Sequence, residues 1–237
     1  MMNIEKMMTP RLLAAASFVK PDCNIADVGT DHAYIPIWLV QQRICPFAIA
    51  MDINHGPLMR AQDNIKRFGL ADKIQTRLSD GVSSLAPDEV DTVVICGMGG
   101  ILINRILENG AHLYDTVRHY VLQPMTAIEE TRKYLETHQF LIENERLVKE
   151  EDKIYTILSV VPGKMRMEKE LDYHVGICLV QNRDPLLPAY LDGRLYELDK
   201  AITSMSQTSN QEVLRKREKF ISLKEDMKQL REACASW

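Results

Sequence analysis

The chain has 237 residues, of which 46% are hydrophobic, and it carries 29 basic and 33 acidic side chains. A chain of this length can bury a substantial core, and the net charge of −4 excludes a protein that attracts nucleic acid through a global positive field. Five scattered cysteines without CxxC spacing, and the lack of a membrane-length apolar run, predict a cytoplasmic protein without disulfides, bound metal or membrane span.

The first predicted elements are a helix, a buried strand and a second helix. The first helix begins with Thr9 as N-cap and Pro10 at its first position, and its apolar face extends to Phe18. A short apolar run at residues 24–28 then ends in an acidic residue and a glycine, and helical spacing resumes at Ile35. A loop between a strand and a helix lies at the carboxyl end of the strand, where open α/β sheets bind ligands.

The loop after this first strand favours a ligand that carries positive charge. Gly29 allows a sharp turn and a close approach of the backbone to a ligand. A dinucleotide-binding loop would have its second and third glycines where Asp31 and Ala33 stand, and a carboxylate there repels a pyrophosphate. S-adenosylmethionine, a sulfonium with an amino acid tail, matches this loop, whereas a nicotinamide cofactor does not.

The second and third strands also end in carboxylates. Residues 47–51 form a predicted buried strand closed by Asp52, which can accept hydrogen bonds from both hydroxyls of a ribose; a helix N-cap and a surface carboxylate are the alternatives. A helix follows, with Gly69 as its predicted C-cap. The third strand, residues 73–78, leads to Asp80, for which a contact to an adenine amino group and a cap of the next short helix remain open. Ile53 and Gly81 adjoin these carboxylates and belong to the predicted cofactor site.

A glycine-rich segment follows the fourth strand. The β-branched run at residues 90–95 predicts a buried parallel strand, and Cys96-Gly97-Met98-Gly99-Gly100 comes directly after it. Three glycines at this point indicate close backbone approach to a ligand, because tight packing of a helix against a strand needs only one. The fifth strand, residues 117–123, ends at Gln123 before Pro124, and an amphipathic helix extends to His138.

The rest of the chain predicts a closing β-hairpin and a separate helical region. Residues 140–148 and 154–161 have strand-like spacing around an acidic turn, which completes a seven-stranded sheet. Pro162-Gly163 marks the boundary between predicted domains at 1–163 and 164–237. Apolar residues then recur at heptad spacing in two segments around a polar turn at residues 206–210, which predicts an antiparallel coiled-coil hairpin.

Three motifs resemble the bacterial TrmK family of tRNA methyltransferases, which act on N1 of adenosine 22. They are the string from Asp27 to Pro36, the segment Cys96–Gly100 and Leu122-Gln123-Pro124. Met125 departs from the family pattern, which usually has Asn after Gln-Pro. The resemblance implies a class I methyltransferase sheet, S-adenosylmethionine as cofactor, a structured tRNA as partner and a helical hairpin that helps to grip the tRNA. The oligomeric state stays open.

The motifs and the resemblance together assign candidate residues to three roles. The predicted cofactor-binding residues are Asp27, Gly29, Thr30, Asp31, Asp52, Ile53, Asp80, Gly81, Cys96, Gly97 and Met98. The catalytic candidates are Asp31, His32 and Gln123, of which Gln123 is a predicted base contact. The candidates for tRNA contact are Arg11, Tyr34, Arg215, Lys216, Arg217 and Lys219, followed by Lys224, Lys228 and Arg231.

Several of these residues have simpler alternative roles. The alternative role of Asp31 is a contact to the methionine amino group of the donor. For His32 the alternative is an imidazole that anchors the loop, and for Tyr34 it is packing against the first helix. The basic residues near the C-terminus are interleaved with acidic ones, a pattern that is typical of a solvated helix face.

The mechanistic hypothesis is in-line displacement without a general base. Enzymes that methylate exocyclic amines carry an Asn/Asp-Pro-Pro-aromatic motif after the fourth strand, whereas the segment Cys96–Gly100 has no side-chain oxygen acceptor. Adenine N1 has an in-plane lone pair, so a base drawn out of its stack can attack the sulfonium methyl directly. The alternatives are a methyltransferase for another substrate and a catalytically silent RNA-binding protein on the same fold.

Overall fold

Seven strands form one mixed sheet in the computed structural model, which describes residues 4–206 and 210–237. The strands are β1 (Ile25–Val28), β2 (Ala48–Asp52), β3 (Ile74–Leu78), β4 (Thr92–Met98), β5 (His119–Pro124), β6 (Phe140–Glu150) and β7 (Lys153–Pro162). They lie in the order β3-β2-β1-β4-β5-β7-β6. The first five strands are parallel, and β7 is antiparallel to both β5 and β6. The predicted seven-stranded sheet with a closing hairpin is therefore confirmed.

Burial along each strand follows its position in the sheet. Every residue of the central strands β1 and β5 is buried, as expected for parallel strands that are covered on both faces. The edge strand β3 fully buries only its first residue, Ile74. The continuous apolar runs in the sequence thus mark the middle of the sheet.

In the described part of this unit, one α-helix precedes β1 and four connect strands. They are α1 (Pro10–Ala16), α2 (Tyr34–Gln41), α3 (His55–Arg67), α4 (Gly100–Asn109) and α5 (Ile128–Thr137). The Thr9 hydroxyl accepts a hydrogen bond from the Leu12 amide at the start of α1, as predicted. Gly69 has a left-handed φ of +69° just after α3, which suits the end of a helix. Across residues 4–206 and 210–237, no helix has the length and apolar character needed to cross a membrane.

The glycine-rich segment after β4 is partly strand. β4 extends to Met98 instead of ending at residue 95, with an irregularity between Cys96 and Met98 where it pairs with β5. Gly97 has a φ of +77°, which a residue with a side chain rarely adopts. A Cβ on Gly100 would lie 2.5 Å from the carbonyl oxygen of Ala127, so this glycine permits close packing. The segment is therefore a bulged strand end that leads directly into α4.

A second unit extends from Met167 to Trp237, a little beyond the expected boundary at 163/164. Its described residues include α6 (Glu170–Val175), α7 (Ile177–Gln181), α8 (Leu187–Ser204) and α9 (Gln211–Ala233). The two short helices lie in a segment for which the sequence predicted only a connector. Gly176 separates them with a φ of +104°.

Helices α8 and α9 pack in antiparallel orientation within the second unit. Arg231 pairs with Asp192, and Lys224 pairs with Asp199 further along the same interface. The apolar residues buried along these helices include Leu191, Leu198, Leu223 and Met227. The predicted helical hairpin is thus present, while residues 207–209 of its predicted turn lie outside the described residues.

Candidate active site

The loop after β1 folds back onto the neighbouring strand β2. The amides of Gly29 and Thr30 each donate to the carbonyl oxygen of Met51 at 2.8 Å. Gly29 has a φ of +78°, and a Cβ built on it would lie 2.2 Å from Cε of Met98. The left-handed backbone favours glycine, and the Met98 side chain would have to move for any larger residue. The loop therefore lies directly against the end of β4.

A cleft of about 350 Å³ opens where β1 and β4 end. The predicted site residues that line it are Arg11, Asp27, Gly29, Thr30, Asp31, His32, Tyr34, Cys96 and Gly97. The sequence assigned Arg11 to tRNA, but the structure places it in this cleft, at the start of α1. No local pattern links Arg11 to the loop, because the position of α1 is decided by packing between distant segments.

Two groups of the cleft, the buried Asp27 carboxyl and the half-buried Cys96 thiol, have raised pKa values. Burial raises the pKa of the Asp27 carboxyl to about 6; the nearby Thr30 hydroxyl lowers this pKa, and the charge of Asp52 raises it further. Burial also raises the pKa of the Cys96 thiol, as does the charge of Asp27, whereas Arg11 lowers it. At neutral pH the carboxyl is ionised and the thiol is protonated. The cleft thus holds a buried negative charge without a thiolate nucleophile.

The Asp31 carboxylate is exposed at the cleft and already has two partners. Arg60 of α3 donates to Oδ1 through Nη2 and, at 3.1 Å, through Nε, and His32 Nε2 lies 3.3 Å from Oδ2. The His32 ring stacks on Tyr34 with a centroid distance of 5.0 Å, and Asn64 donates to the His32 carbonyl at 3.1 Å. These contacts favour an anchoring role for His32. Arg60 was missed because nothing in the sequence singles out this basic residue of α3.

The ends of β2 and β3 extend the site along the sheet edge. Asp52 is half-buried and accepts a hydrogen bond from the Asn54 amide at 2.8 Å, and the adjacent Ile53 is 59% exposed. Asp80 is exposed and precedes Gly81, which has a φ of +57°. The segment after Asp80 forms turns and no helix, so the alternative of a helix cap is wrong. A carboxylate beside an exposed apolar side chain suits a ribose with an attached base.

Gln123 lies behind the cleft, not in it. Its side chain is fully buried, and Oε1 accepts from Arg11 Nη1 at 2.7 Å and from the Gly97 amide at 2.9 Å. Its Nε2 donates to the Pro124 carbonyl at 3.2 Å and to the Met125 sulfur at 3.4 Å. With all its hydrogen-bonding capacity used, Gln123 has no free group for a nucleic acid base. The predicted base contact is therefore corrected to a positioning role for Arg11 and Gly97.

The basic residues of α9 fall into two groups. Lys224 and Arg231 are engaged in the ion pairs with α8 described above. Within the described residues, the other basic side chains of α9 make no ion pair, and most of them are exposed to solvent; they are Arg215, Lys216, Arg217, Lys219 and Lys228. These cations of α9 are therefore not neutralised by an ion pair, although acidic residues are interleaved with them along the helix. The described part of the chain has no cluster of three or more His, Cys, Asp or Glu that could hold a metal ion.

The fold and the site together suit S-adenosylmethionine. Glycines with left-handed backbones permit close approach, Asp52 offers hydroxyl acceptors, and the buried Asp27 charge favours a cation over a pyrophosphate. A seven-stranded sheet of this order with such a cleft defines a class I, S-adenosylmethionine-dependent methyltransferase. The TrmK family model, described as tRNA (adenine(22)-N(1))-methyltransferase, matches residues 25–229. The chain belongs to this family.

Relatives with known sequence or structure resemble most of the chain. The tRNA (adenine(22)-N(1))-methyltransferase of Bacillus subtilis (strain 168) is 31% identical over 159 residues, which cover 67% of each chain. The structure of Streptococcus pneumoniae Sp1610, a proposed tRNA (m1A22) methyltransferase in complex with S-adenosyl-L-methionine, is 32% identical with a TM-score of 0.85 over 94% of this chain and 99% of that one. M. capricolum TrmK in complex with S-adenosyl-homocysteine is 29% identical, with a TM-score of 0.78 over 97% and 98% of the two chains.

Proposed function

We propose that this protein transfers a methyl group from S-adenosylmethionine to N1 of adenosine 22 in tRNA. The observation that carries the proposal is the family match over residues 25–229, which includes both the loop after β1 and most of the helical hairpin. Since tRNA is made and used in the cytoplasm, we place the reaction there.

The donor would lie along the carboxyl edge of β3, β2, β1 and β4. Asp52 would hold the ribose hydroxyls, with Ile53 and Asp80 towards the adenine. Gly97 leaves room for the methionine part of the donor, because it has no side chain above the strand end, whereas the space beside Gly29 is filled by the Met98 side chain. When bound, the donor would supply a sulfonium methyl group: a lone pair that attacks the methyl carbon in line breaks the carbon–sulfur bond and releases S-adenosylhomocysteine.

The residues around the reacting atoms act through position and charge. Adenine N1 has a free lone pair, so no proton has to be removed before attack, and the segment Cys96–Gly100 offers no group to remove one. The Cys96 thiol stays protonated because burial raises its pKa. Asp27 and Asp31 provide negative charge near the path along which positive charge moves from sulfur to the base. His32 anchors the loop through its stacking on Tyr34.

The second unit supplies a surface that fits the tRNA backbone. The first half of α9 carries unpaired cations at Arg215, Lys216, Arg217 and Lys219, of which Arg215 and Lys219 share a face, and phosphates bind such side chains without reading sequence. Lys224 and Arg231 are less suited to this role, because Asp199 and Asp192 neutralise them. We therefore assign phosphate contact to the first half of α9.

Mapping the methylated nucleoside tests this proposal. The full chain is incubated with methyl-labelled S-adenosylmethionine and unmodified tRNA that carries adenosine 22, in parallel with the same tRNA carrying guanosine 22. We expect the label in 1-methyladenosine at position 22 of the first tRNA and no label in the second. Label at another nucleotide in both tRNAs, or transfer only to protein or small molecules, would contradict the proposal.

A further inference from the structure

Two cysteines meet at the edge of the sheet that lies opposite the cleft, just before β1 and β2 begin. Cys23 Sγ lies 4.0 Å from Cys45 Sγ, and both residues are free thiols in this structure. The strands that follow them start at Ile25 and Ala48 and are direct neighbours. We propose that this pair is a modification site, at which a hydroperoxide oxidises the two thiols to a reversible disulfide.

The backbone holds the two cysteines opposite each other. On one side of the pair the Asp22 amide donates to the Ile44 carbonyl at 2.8 Å, and on the other side the Ile25 amide donates to the Phe47 carbonyl at 3.3 Å. Chain segments joined by such hydrogen bonds lie about 4.8 Å apart. Disulfides join residues whose Cα atoms are roughly 4.4 to 6.8 Å apart, with a bond of about 2.05 Å between the sulfurs. Side-chain rotation can therefore close the bond without a large movement of the backbone.

The surroundings of Cys23 favour its thiolate. Cys23 Sγ donates to the Lys20 carbonyl at 2.9 Å, so the thiol proton between the two sulfurs belongs to Cys45. This hydrogen bond from Cys45 lowers the pKa of the Cys23 thiol to about 7. Burial opposes this decrease in the pKa, as does the charge of Asp91, whereas the Thr92 hydroxyl, which donates to Cys23 Sγ at 3.6 Å, lowers the pKa further. The hydrogen bond to Cys23 and burial raise the pKa of the Cys45 thiol. Cys23 is therefore the attacking thiolate, and Cys45 is the resolving thiol.

The turn before Cys23 gives a small oxidant access to this sulfur. Pro21 and Asp22 are exposed, and Cys23 itself is 8% exposed, compared with 2% for Cys45. Hydrogen peroxide is close to water in size and reacts with thiolates rather than with thiols. We therefore expect it to react at Cys23 before Cys96, because burial raises the pKa of the Cys96 thiol.

The oxidation takes place in two balanced steps. The Cys23 thiolate attacks one oxygen of hydrogen peroxide, the O–O bond breaks, and hydroxide leaves behind a sulfenic acid. The Cys45 sulfur then attacks the Cys23 sulfur, the Cys45 proton passes to the departing hydroxyl, and water leaves as the S–S bond forms. The two cysteines lose two electrons, and the peroxide oxygens gain them. A thiol reductant reverses the reaction by thiol–disulfide exchange.

The disulfide closes a loop of the chain from residue 23 to residue 45. This loop contains β1, the segment after it that lines the cleft, and α2. A crosslink of this kind restricts the unfolded chain and so stabilises the folded one. The carboxyl ends of the strands stay open, because the pair lies at their amino ends. In a reducing compartment such a bond forms transiently, under oxidative load.

Peptide mapping of the oxidised protein tests the proposal. The full chain is reduced, freed of reductant and treated with a small excess of hydrogen peroxide, and the remaining thiols are alkylated in denaturant before digestion. We expect one pair of peptides joined through Cys23 and Cys45, loss of two of the five alkylatable thiols, and recovery of both with dithiothreitol. The oxidised chain should unfold about 5 to 10 °C above the reduced chain.

Two variants separate the disulfide from other effects of peroxide. Cys45→Ala removes the resolving thiol, so it should give a sulfenic acid at Cys23 that dimedone traps, without the increase in unfolding temperature. Cys178→Ala, which removes a half-buried thiol of α7 in the second unit, is the matched control and should form the disulfide as the wild type does.

Three outcomes would overturn the proposal. In the first, Cys23 and Cys45 both stay alkylatable when peroxide has already oxidised Cys96. In the second, the disulfide forms only in denaturant and is thus a product of the unfolded chain. In the third, peroxide raises the unfolding temperature of Cys45→Ala as much as that of the wild type. If Cys45→Ala does not fold, mapping of the wild type decides alone. The methylation of adenosine 22 is a separate question, since neither donor nor tRNA enters these measurements.

Discussion

Asp27→Asn removes a buried carboxyl group that titrates differently from a carboxyl on the surface. Burial raises the pKa of the Asp27 carboxyl from 3.8, the value of an exposed aspartate, to about 6. Between these two pH values the folded protein binds more protons than the unfolded chain. The free energy of unfolding therefore falls as the pH rises through this window and stays low above it. The whole window is worth about 3 kcal/mol, of which about 1.4 kcal/mol lies between pH 5 and pH 8.

Asparagine does not ionise in this range, so Asp27→Asn should lack this part of the pH dependence. We expect the free energy of unfolding of the wild type, measured with urea in the absence of donor, to drop by about 1.4 kcal/mol more than that of the variant between pH 5 and pH 8. Asp63→Asn, which removes an exposed carboxylate from α3, is the control for the loss of one charge. Parallel pH profiles for the wild type and Asp27→Asn would refute the reasoning.

Three further predictions concern the buried ion pair between α5 and β6, the Gln123 side chain behind the cleft and the proposed tRNA-binding surface of α9. Arg132→Met removes the guanidinium that donates to the Glu145 carboxylate, through Nε at 2.9 Å, in a pair whose side chains are at most 1% exposed. This loss of a buried ion-pair partner should cost about 3 to 5 kcal/mol in urea unfolding. Replacing both partners by apolar residues should recover most of this loss. Gln123→Leu leaves the Gly97 amide without its acceptor and should cost about 1 to 3 kcal/mol while weakening donor binding; unchanged donor affinity would argue against the positioning role. Reversing the three charges at 215–217 should weaken tRNA binding and leave donor affinity unchanged. The slope of log affinity against log salt should fall by the equivalent of about 2 to 3 phosphate contacts. Unaltered tRNA affinity would remove α9 from the interface.

Local sequence patterns were sufficient to predict the sheet and much of the cleft. Continuous apolar runs marked the buried parallel strands, and residues such as Asp27 and Asp52 at their carboxyl ends were expected to meet at one edge, as they do. The glycines at positions 29 and 97 were informative because both adopt a left-handed backbone, which residues with a side chain rarely adopt. Patterns were less reliable at Gly97, where a bulge keeps the chain in β4 beyond the predicted end of the strand.

The sequence by itself thus determined the order of the elements, the match to a cationic donor and the carboxylates at the strand ends, since each depends on residues close together in the chain. Only the tertiary structure decided that Arg11 enters the cleft, that Gln123 lies buried behind it and that Arg60 pairs with Asp31. These contacts join residues that are distant in sequence. Their geometry is set by how helices pack against the sheet and against each other, and no local period in the sequence encodes that packing.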